Sequence, residues 1–566
     1  MKNRLILWCL GLFLAAGFAD LQGAAFPLKG WVRTNTSISA ANFVVGKDTT
    51  VIKRLADKDM IVFNPGNGIS ATNDQTFHFT LEADGAGEIQ VGFYGYSHLF
   101  YCTAQGNSKV TLTPGKKIYK GSIPIKSRGK VTILRPRICI PKGEGEIKVY
   151  SLTCNVDGKA AVFAPECKFK VTFEKAPILP PGEKSAVKVL FEKNGKKLTQ
   201  GELQVSFYKD NVYSHKKVYD LAKGNPVLME ETLSSPGFLI ANATLVSKEG
   251  SIKDNSQLFG IGFGAEKIRQ AGNIPADLIS YWNGEYAKMK KAVPGTVEKK
   301  LVKTTKTHKH YRLIGKNLNG TPIYATLTVP VGKGPFPMVF SVPPAGRTVW
   351  GNYSTGGAIH LTTAVFDRDF QNQQEYNAFN KPRWYFLKGA EKKETYYYYK
   401  SILGVMRMME YAMKEVKEWD GKNLVAEGRS QGGGFAMIMT ALNPAIKAMV
   451  ADVPALCDHN GRLLNRAPGW PRLLDQVKGF RNEAAYFDAA SFAAYVKVPA
   501  YVTVGLLDTM CTPSSIYSAY NNLKGPKEIL VLPLYGHGWG FREKNAYNTP
   551  RDNMFKKYLF KKAGEK

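Results

Sequence analysis

An α/β catalytic domain preceded by two β-sandwiches is the architecture that this 566-residue sequence predicts. Three observations carry it. From Met338 onward, apolar strand-like runs alternate with helical stretches such as Lys400 to Lys417, which implies a mostly parallel sheet with helices on both faces. Before about Gly264, short alternating runs are separated by Gly, Asn and Pro, the mark of antiparallel sheets packed face to face. Between Leu424 and Leu442, LVAEGRSQGGGFAMIMTAL, an apolar run passes through a sharp turn into a segment of small and apolar residues, which reads as strand, tight turn and buried helix.

In chain order, Lys2 and Arg4, an apolar run from Leu5 to Ala16 and the small residues Gly23-Ala24-Ala25 form the pattern of a cleavable signal peptide over residues 1–25. The run is short of the ~20 residues that span a bilayer. The mature chain is therefore expected to be secreted or periplasmic, with no membrane span. Residues 26–156 read as the first sandwich, with strands at Phe77 to Leu81, Glu88 to Phe93 and Lys109 to Thr113. Its run Phe93 to Tyr101 gathers aromatic rings that could stack on sugars, although packing of a hairpin against its own core is the simpler account.

Residues 168–264 read as a second, immunoglobulin-like sandwich, with strands at Phe169 to Phe173, Ala186 to Phe191, Leu203 to Phe207 and Phe238 to Leu245. It is expected to be a spacer without chemistry of its own. The catalytic domain is expected over 275–566, with a helix from Asp277 to Ala292 and a hairpin turn at Asn319-Gly320. Asp367 to Lys393 has many aromatics and charges and little periodicity, and reads as a cleft-shaping loop or an oligomer contact; both stay open.

The chemistry centres on Gly428-Arg429-Ser430-Gln431-Gly432. A Gly-x-Ser-x-Gly at a strand-to-helix corner is a nucleophile elbow, whose glycines let backbone pack closely while the serine Oγ stands clear of the sheet. The N–H of Gln431, at the helix start, would point at an oxyanion. A serine needs a base and an orienter, and with this elbow the chain order is Ser, then Asp or Glu, then His. Only His459 and His537 follow Ser430. His537 lies between two glycines just past an apolar strand, whereas His459 sits in a polar loop, so His537 is the expected base. For the acid, Asp508 ends the apolar run Tyr501 to Leu507, where such sheets place their sites, and Asp452 ends Met449 to Ala451 in the same way. The interval 537 − 508 = 29 residues holds one helix (Ser514 to Leu523) and one strand (Glu528 to Leu534), which favours Asp508.

These residues resemble the acetyl xylan esterase and cephalosporin C deacetylase family of α/β-hydrolases. The resemblance rests on Ser430-Gln431-Gly432-Gly433, Gly505-Leu506-Leu507-Asp508, Cys511-Thr512-Pro513-Ser514, Ala519-Tyr520-Asn521 and Gly525-Pro526-Lys527-Glu528, and it runs from about Pro275 to the end. It also touches Glu394-Thr395-Tyr396-Tyr397-Tyr398, where the family continues with Arg and this chain has Tyr399. What it implies is an α/β-hydrolase that removes acetyl groups from carbohydrate, with short acyl groups preferred. It aligns Ala345 with the second oxyanion N–H, in a turn that reads Pro343-Pro344-Ala345-Gly346-Arg347 where the family carries Gly-Tyr.

Two other classes of function fit parts of the pattern: a serine peptidase of the prolyl-oligopeptidase type, and a carbohydrate-binding surface protein with a relict hydrolase. The chain holds 77 Lys and Arg against 46 Asp and Glu, a formal +31 that attracts polyanions. With an export signal and no nucleic-acid-binding motif, the expected partner is an acetylated carbohydrate, including acidic polysaccharide, and not nucleic acid. Lys299, Lys300, Lys303, Lys306, Lys309 and Arg312 form the densest basic stretch. None of the seven cysteines forms a Cys-x-x-Cys, and His308-Lys309-His310 reads as an exposed strand, so no metal or cofactor is expected. Disulfide pairing and oligomeric state are not legible.

Overall fold

The computed structural model describes residues 75–96, 102–126, 133–142, 144–156, 159–160, 167–193, 195–246, 256–295, 297–346, 356–370, 373–381, 383–477, 479–538 and 544–560, with short strand pieces between 32 and 70. The expected signal peptide lies outside the described residues. Among those described, no helix is long and apolar enough to cross a membrane.

The first sandwich is two six-stranded sheets. Strand Thr76–Asp84 shows why they pack: Phe77, Phe79, Leu81 and Ala83 point inward while His78, Thr80 and Glu82 point away. Against that face lie Ile89, Val91 and Phe93 of Gly87–Tyr96 and Ile138 of Ile133–Ile140. The buried ring of Phe93 lies tilted against that of Phe77, centroids 5.2 Å apart, so the first ring of the aromatic run belongs to the core, while residues 97–101 lie outside the described residues. The second sandwich pairs a four-stranded with a five-stranded sheet over Phe191, Phe207 and Phe259. It differs from a free spacer. The N–H of Gly260 donates to the carbonyl of Pro533 at 2.7 Å, and the Phe238 ring lies 5.5 Å from that of Tyr517, both across to the C-terminal half.

That half is built on nine strands: β1 Glu298–Thr304, β2 His308–Lys316, β3 Pro322–Pro330, β4 Phe336–Val342, β5 Ile359–Thr363, β6 Trp419–Arg429, β7 Ala448–Asp452, β8 Ala500–Gly505 and β9 Lys527–Leu532. Their spatial order is β1-β2-β3-β5-β4-β6-β7-β8-β9. β1 to β3 form an antiparallel meander, and β4 to β9 run parallel. The meander turns at Asn319 and Gly320, both with positive φ, as the Asn-Gly pair predicts.

Burial on both faces follows from period two. Met338, Phe340, Leu424, Ala426, Met449 and Ala451 enter one core, while the intervening Val339, Val425 and Val450 enter another with Phe555 and Leu559. The helices that cover these faces are α1 Leu278–Ala292, α2 Tyr397–Glu415, α3 Gln431–Leu442, α4 Pro513–Asn522 and α5 Lys544–Tyr558. Helix α3, apolar apart from Gln431 and Thr440, is buried almost completely. The aperiodic segment after Asp367 is packed: Phe366, Phe370, Tyr376, Phe379 and Tyr385 form an edge-to-face cluster with centroids 4.9–6.1 Å apart.

Candidate active site

Ser430 occupies the corner between β6 and α3 with φ 55° and ψ −120°, a conformation that L-residues rarely adopt and that surrounding contacts must hold. Its N–H donates to the Asp452 carbonyl at 2.8 Å, and its own carbonyl accepts from Gly434 at 3.1 Å and Ala455 at 2.9 Å. The corner closes because both flanking glycines lack a side chain. A Cβ on Gly428 would collide with the backbone of Gly432, and one on Gly432 would collide with the Val342 carbonyl.

His537 follows β9 in a loop that returns over the sheet edge. Its Nε2 lies 3.0 Å from Ser430 Oγ and its Nδ1 lies 2.7 Å from Asp508 Oδ2. Asp508, three residues beyond β8, has no solvent exposure. Its other oxygen, Oδ1, accepts from the N–H groups of Met510 at 2.8 Å and Cys511 at 2.9 Å, so the carboxylate has one fixed orientation. The Leu507 N–H donates to the Tyr535 carbonyl at 3.0 Å, tying acid loop to histidine loop.

The two rival residues lie elsewhere. Asp452 points at Arg429: its Oδ2 is 2.5 Å from Nη1, and its Oδ1 accepts from Thr503 Oγ1 at 2.5 Å. Arg429 Nη2 in turn donates to the main-chain carbonyl of His537. Asp452 is thus linked to the histidine loop through an arginine. His459 is fully buried, and burial lowers its pKa to about 4.

Gln431 opens α3, where the first N–H groups of a helix lack intrahelical acceptors. Its side chain, fully buried, accepts from Tyr385 Oη at 2.5 Å and Tyr398 Oη at 2.7 Å and donates to the Pro343 carbonyl at 3.1 Å. Burial raises both tyrosine pKa values, which keeps them donors. The same glutamine that offers its backbone N–H therefore also anchors the turn after β4. In that turn Pro343 and Pro344 carry no N–H, so Ala345 is its first main-chain donor. Sequence reasoning missed Arg429, Tyr385 and Tyr398 as supports of the site; the tyrosine run after Thr395 was the available signal for Tyr398, and the elbow motif itself contained Arg429.

Cys511 joins Asp508 and His537 in a set of ligand atoms within 4.8 Å of one another. Burial holds its thiol well above the ordinary pKa, whereas metals take the thiolate, so this donor set suits a metal poorly. What the arrangement can do is move a proton: a strained, shielded hydroxyl faces an imidazole whose far nitrogen faces a buried carboxyl group.

The fold and this geometry define a serine carboxylic-ester hydrolase of the α/β-hydrolase class. Residues 265–552 match the model of the acetyl xylan esterase (AXE1) family, and the chain belongs to that family. It is similar to acetyl esterase Axe7A of Xylanibacter ruminicola, 29% identical over a 343-residue alignment that covers 57% of this chain and 76% of that one. Among solved structures it resembles acetyl xylan esterase from Paenibacillus sp. R4 (21% identity, TM-score 0.45) and acetyl xylan esterase 1 from Thermoanaerobacterium sp. JW/SL YS485 (23%, TM-score 0.44). Each of those alignments covers 52% of this chain and 98% of the other.

Proposed function

We propose that this carbohydrate esterase is exported and removes O-acetyl groups from polysaccharide through an acyl-enzyme formed on Ser430. His537 takes the Ser430 proton and delivers it to the departing sugar hydroxyl, while Asp508 fixes the ring with its acceptor nitrogen toward Ser430. The N–H groups of Gln431 and Ala345 receive the tetrahedral oxyanion, and water then releases acetate. The observation that carries this reading is the continuous contact Ser430–His537–Asp508, with neighbouring gaps of 3.0 and 2.7 Å. The acetyl group is supported by family membership and by the similarity to an acetyl esterase.

The basic stretch supports an acidic polysaccharide as substrate. Lys299, Lys300 and Lys303 lie on β1, the exposed outer strand, five strand spacings from β6. At ~4.8 Å per spacing that is roughly 24 Å, beyond a Debye length of ~10 Å at 0.1 M salt. Charge there would attract a polymer that extends past the site and would leave the chemistry at Ser430 untouched. The test of the function is acetate release from acetylated xylan by the wild type and by Ser430→Ala. Release by the wild type and its loss, by at least about 10³-fold, in the variant is expected; release undiminished in Ser430→Ala refutes the mechanism.

A further inference from the structure

We propose that the second sandwich is a positioning element of the active site, because it holds the two loops that carry Asp508 and His537. The inference rests on the Ser-His-Asp reading above. Those loops leave the sheet at its last two strands, β8 and β9, and among the described residues β9 is an edge with no further strand beside it. An edge and the loops that extend it are otherwise free to shift. Here the sandwich supplies the missing neighbour.

On the histidine side, the sandwich strand Ser256–Phe263 gives the Gly260 N–H to the Pro533 carbonyl at 2.7 Å, just past the end of β9. The next side chain, Leu534, packs against the core of the sandwich, three residues before His537. On the acid side the same Gly260 abuts Leu506, two residues before Asp508. A Cβ at 260 would overlap Leu506 Cβ and stand 3.1 Å from the Leu506 carbonyl carbon and oxygen. Beyond Asp508, residues Thr512 and Pro513 face Asp210, Phe238 and Ile240 of the sandwich across a narrow gap that Leu506 also lines. Phe238 then packs on Tyr517 of α4, the helix that follows the acid loop.

One rigid β surface therefore touches the chain on both sides of the 2.7 Å contact between Asp508 and His537. It does so within a few residues of each partner, and through a glycine that leaves no slack. Interiors packed this closely transmit displacement and do not absorb it. A shift of Leu506 forced from residue 260 moves the Asp508 turn relative to a histidine loop anchored at Pro533 and Leu534.

The experiment compares Gly260→Ala in the full chain with Gly237→Ala, a control in the same sandwich whose added methyl meets nothing closer than 3.4 Å. Kinetics on 4-nitrophenyl acetate are measured well below each Tm. For Gly260→Ala, kcat should fall about 10- to 100-fold, as a misplacement near 1 Å does, with KM within about twofold of wild type. The acidic limb of kcat/KM against pH should move to lower pH, because a loosened carboxylate stabilises the imidazolium less. Gly237→Ala should behave as wild type. Leu534→Ala, which trims a contact without a clash, should show the same limb shift and serves if Gly260→Ala does not fold. A purely structural role moves Tm alone, so unchanged kcat and pH limb in either variant overturn the proposal. Ser430→Ala run beside them separates the two readings: activity in that variant overturns the triad itself, whereas a dead Ser430→Ala with a silent Gly260→Ala overturns only the positioning role.

Discussion

Replacing Asp508 by Asn exchanges one carboxylate oxygen for an NH₂ and should nearly abolish activity, for a reason visible in the carboxylate's hydrogen bonds. Oδ1 is held by two main-chain donors, Met510 at 2.8 Å and Cys511 at 2.9 Å. An asparagine must put its carbonyl there, since its NH₂ would face two N–H groups. The NH₂ then takes the place of Oδ2 and donates to His537 Nδ1, 2.7 Å away in the native protein. His537 must carry its proton on Nε2, the nitrogen 3.0 Å from Ser430 Oγ, and can no longer accept from the serine. Loss of the base tautomer in another serine hydrolase lowers kcat by about 10⁴, which corresponds to about 5 kcal/mol at 1.36 kcal/mol per tenfold.

Asp452→Asn should be milder, because the Asp452 carboxylate is linked to the His537 carbonyl through Arg429 and does not touch the imidazole. Weakening that partly buried pair should cost about tenfold in kcat, as for a positioning contact, and Arg429→Met should match it. The assay is 4-nitrophenyl acetate hydrolysis near pH 8, with Tm reporting on the fold. An Asp508→Asn enzyme within tenfold of wild type, or an Asp452→Asn enzyme as inactive as Ser430→Ala, refutes the assignment of the acid.

Two further outcomes follow. His360, buried on β5 with its Nε2 3.1 Å from Ser341 Oγ, has its pKa lowered by burial to about 3, so its neutral form is the folded one. Its contribution to stability is present above its unfolded pKa of about 6.5 and is lost as pH falls toward 3, amounting to about 2–3 kcal/mol by pH 4.5; the Tm of His360→Gln should therefore drop less than that of wild type between pH 7 and 4.5, and parallel drops would rule this out. For substrate charge, raising salt from about 0.02 to 0.3 M should increase KM on an acetylated acidic polysaccharide and leave a neutral one unchanged; equal dependence on both would remove the acidic polymer from the proposal.

The sequence by itself determined the order of the architecture and singled out three side chains that the fold brings into contact. The strands over Phe77–Leu81, Phe238–Leu245 and Met338–Val342 all lie inside observed strands, because alternation and continuous apolar runs are local consequences of facing one core or two. Ser430, Asp508 and His537 were legible because each sits where a short motif meets a strand end, and strand ends in a parallel sheet converge on one edge.

What only the tertiary structure decided is everything that depends on which strand ends are neighbours. Asp452 and Asp508 look alike in sequence, yet one faces Arg429 and the other His537, since β7 stands beside β6 whereas the chain after β8 is drawn toward β9. The Arg429 bond to the His537 carbonyl spans 108 residues, and the Tyr385 bond to Gln431 spans 46. No periodicity records such pairs. The docking of the second sandwich was hidden for the same reason: a glycine at 260 reads as a softened strand until Leu506 is found against it, because a sequence pattern shows which face of a strand is buried and not what it is buried against.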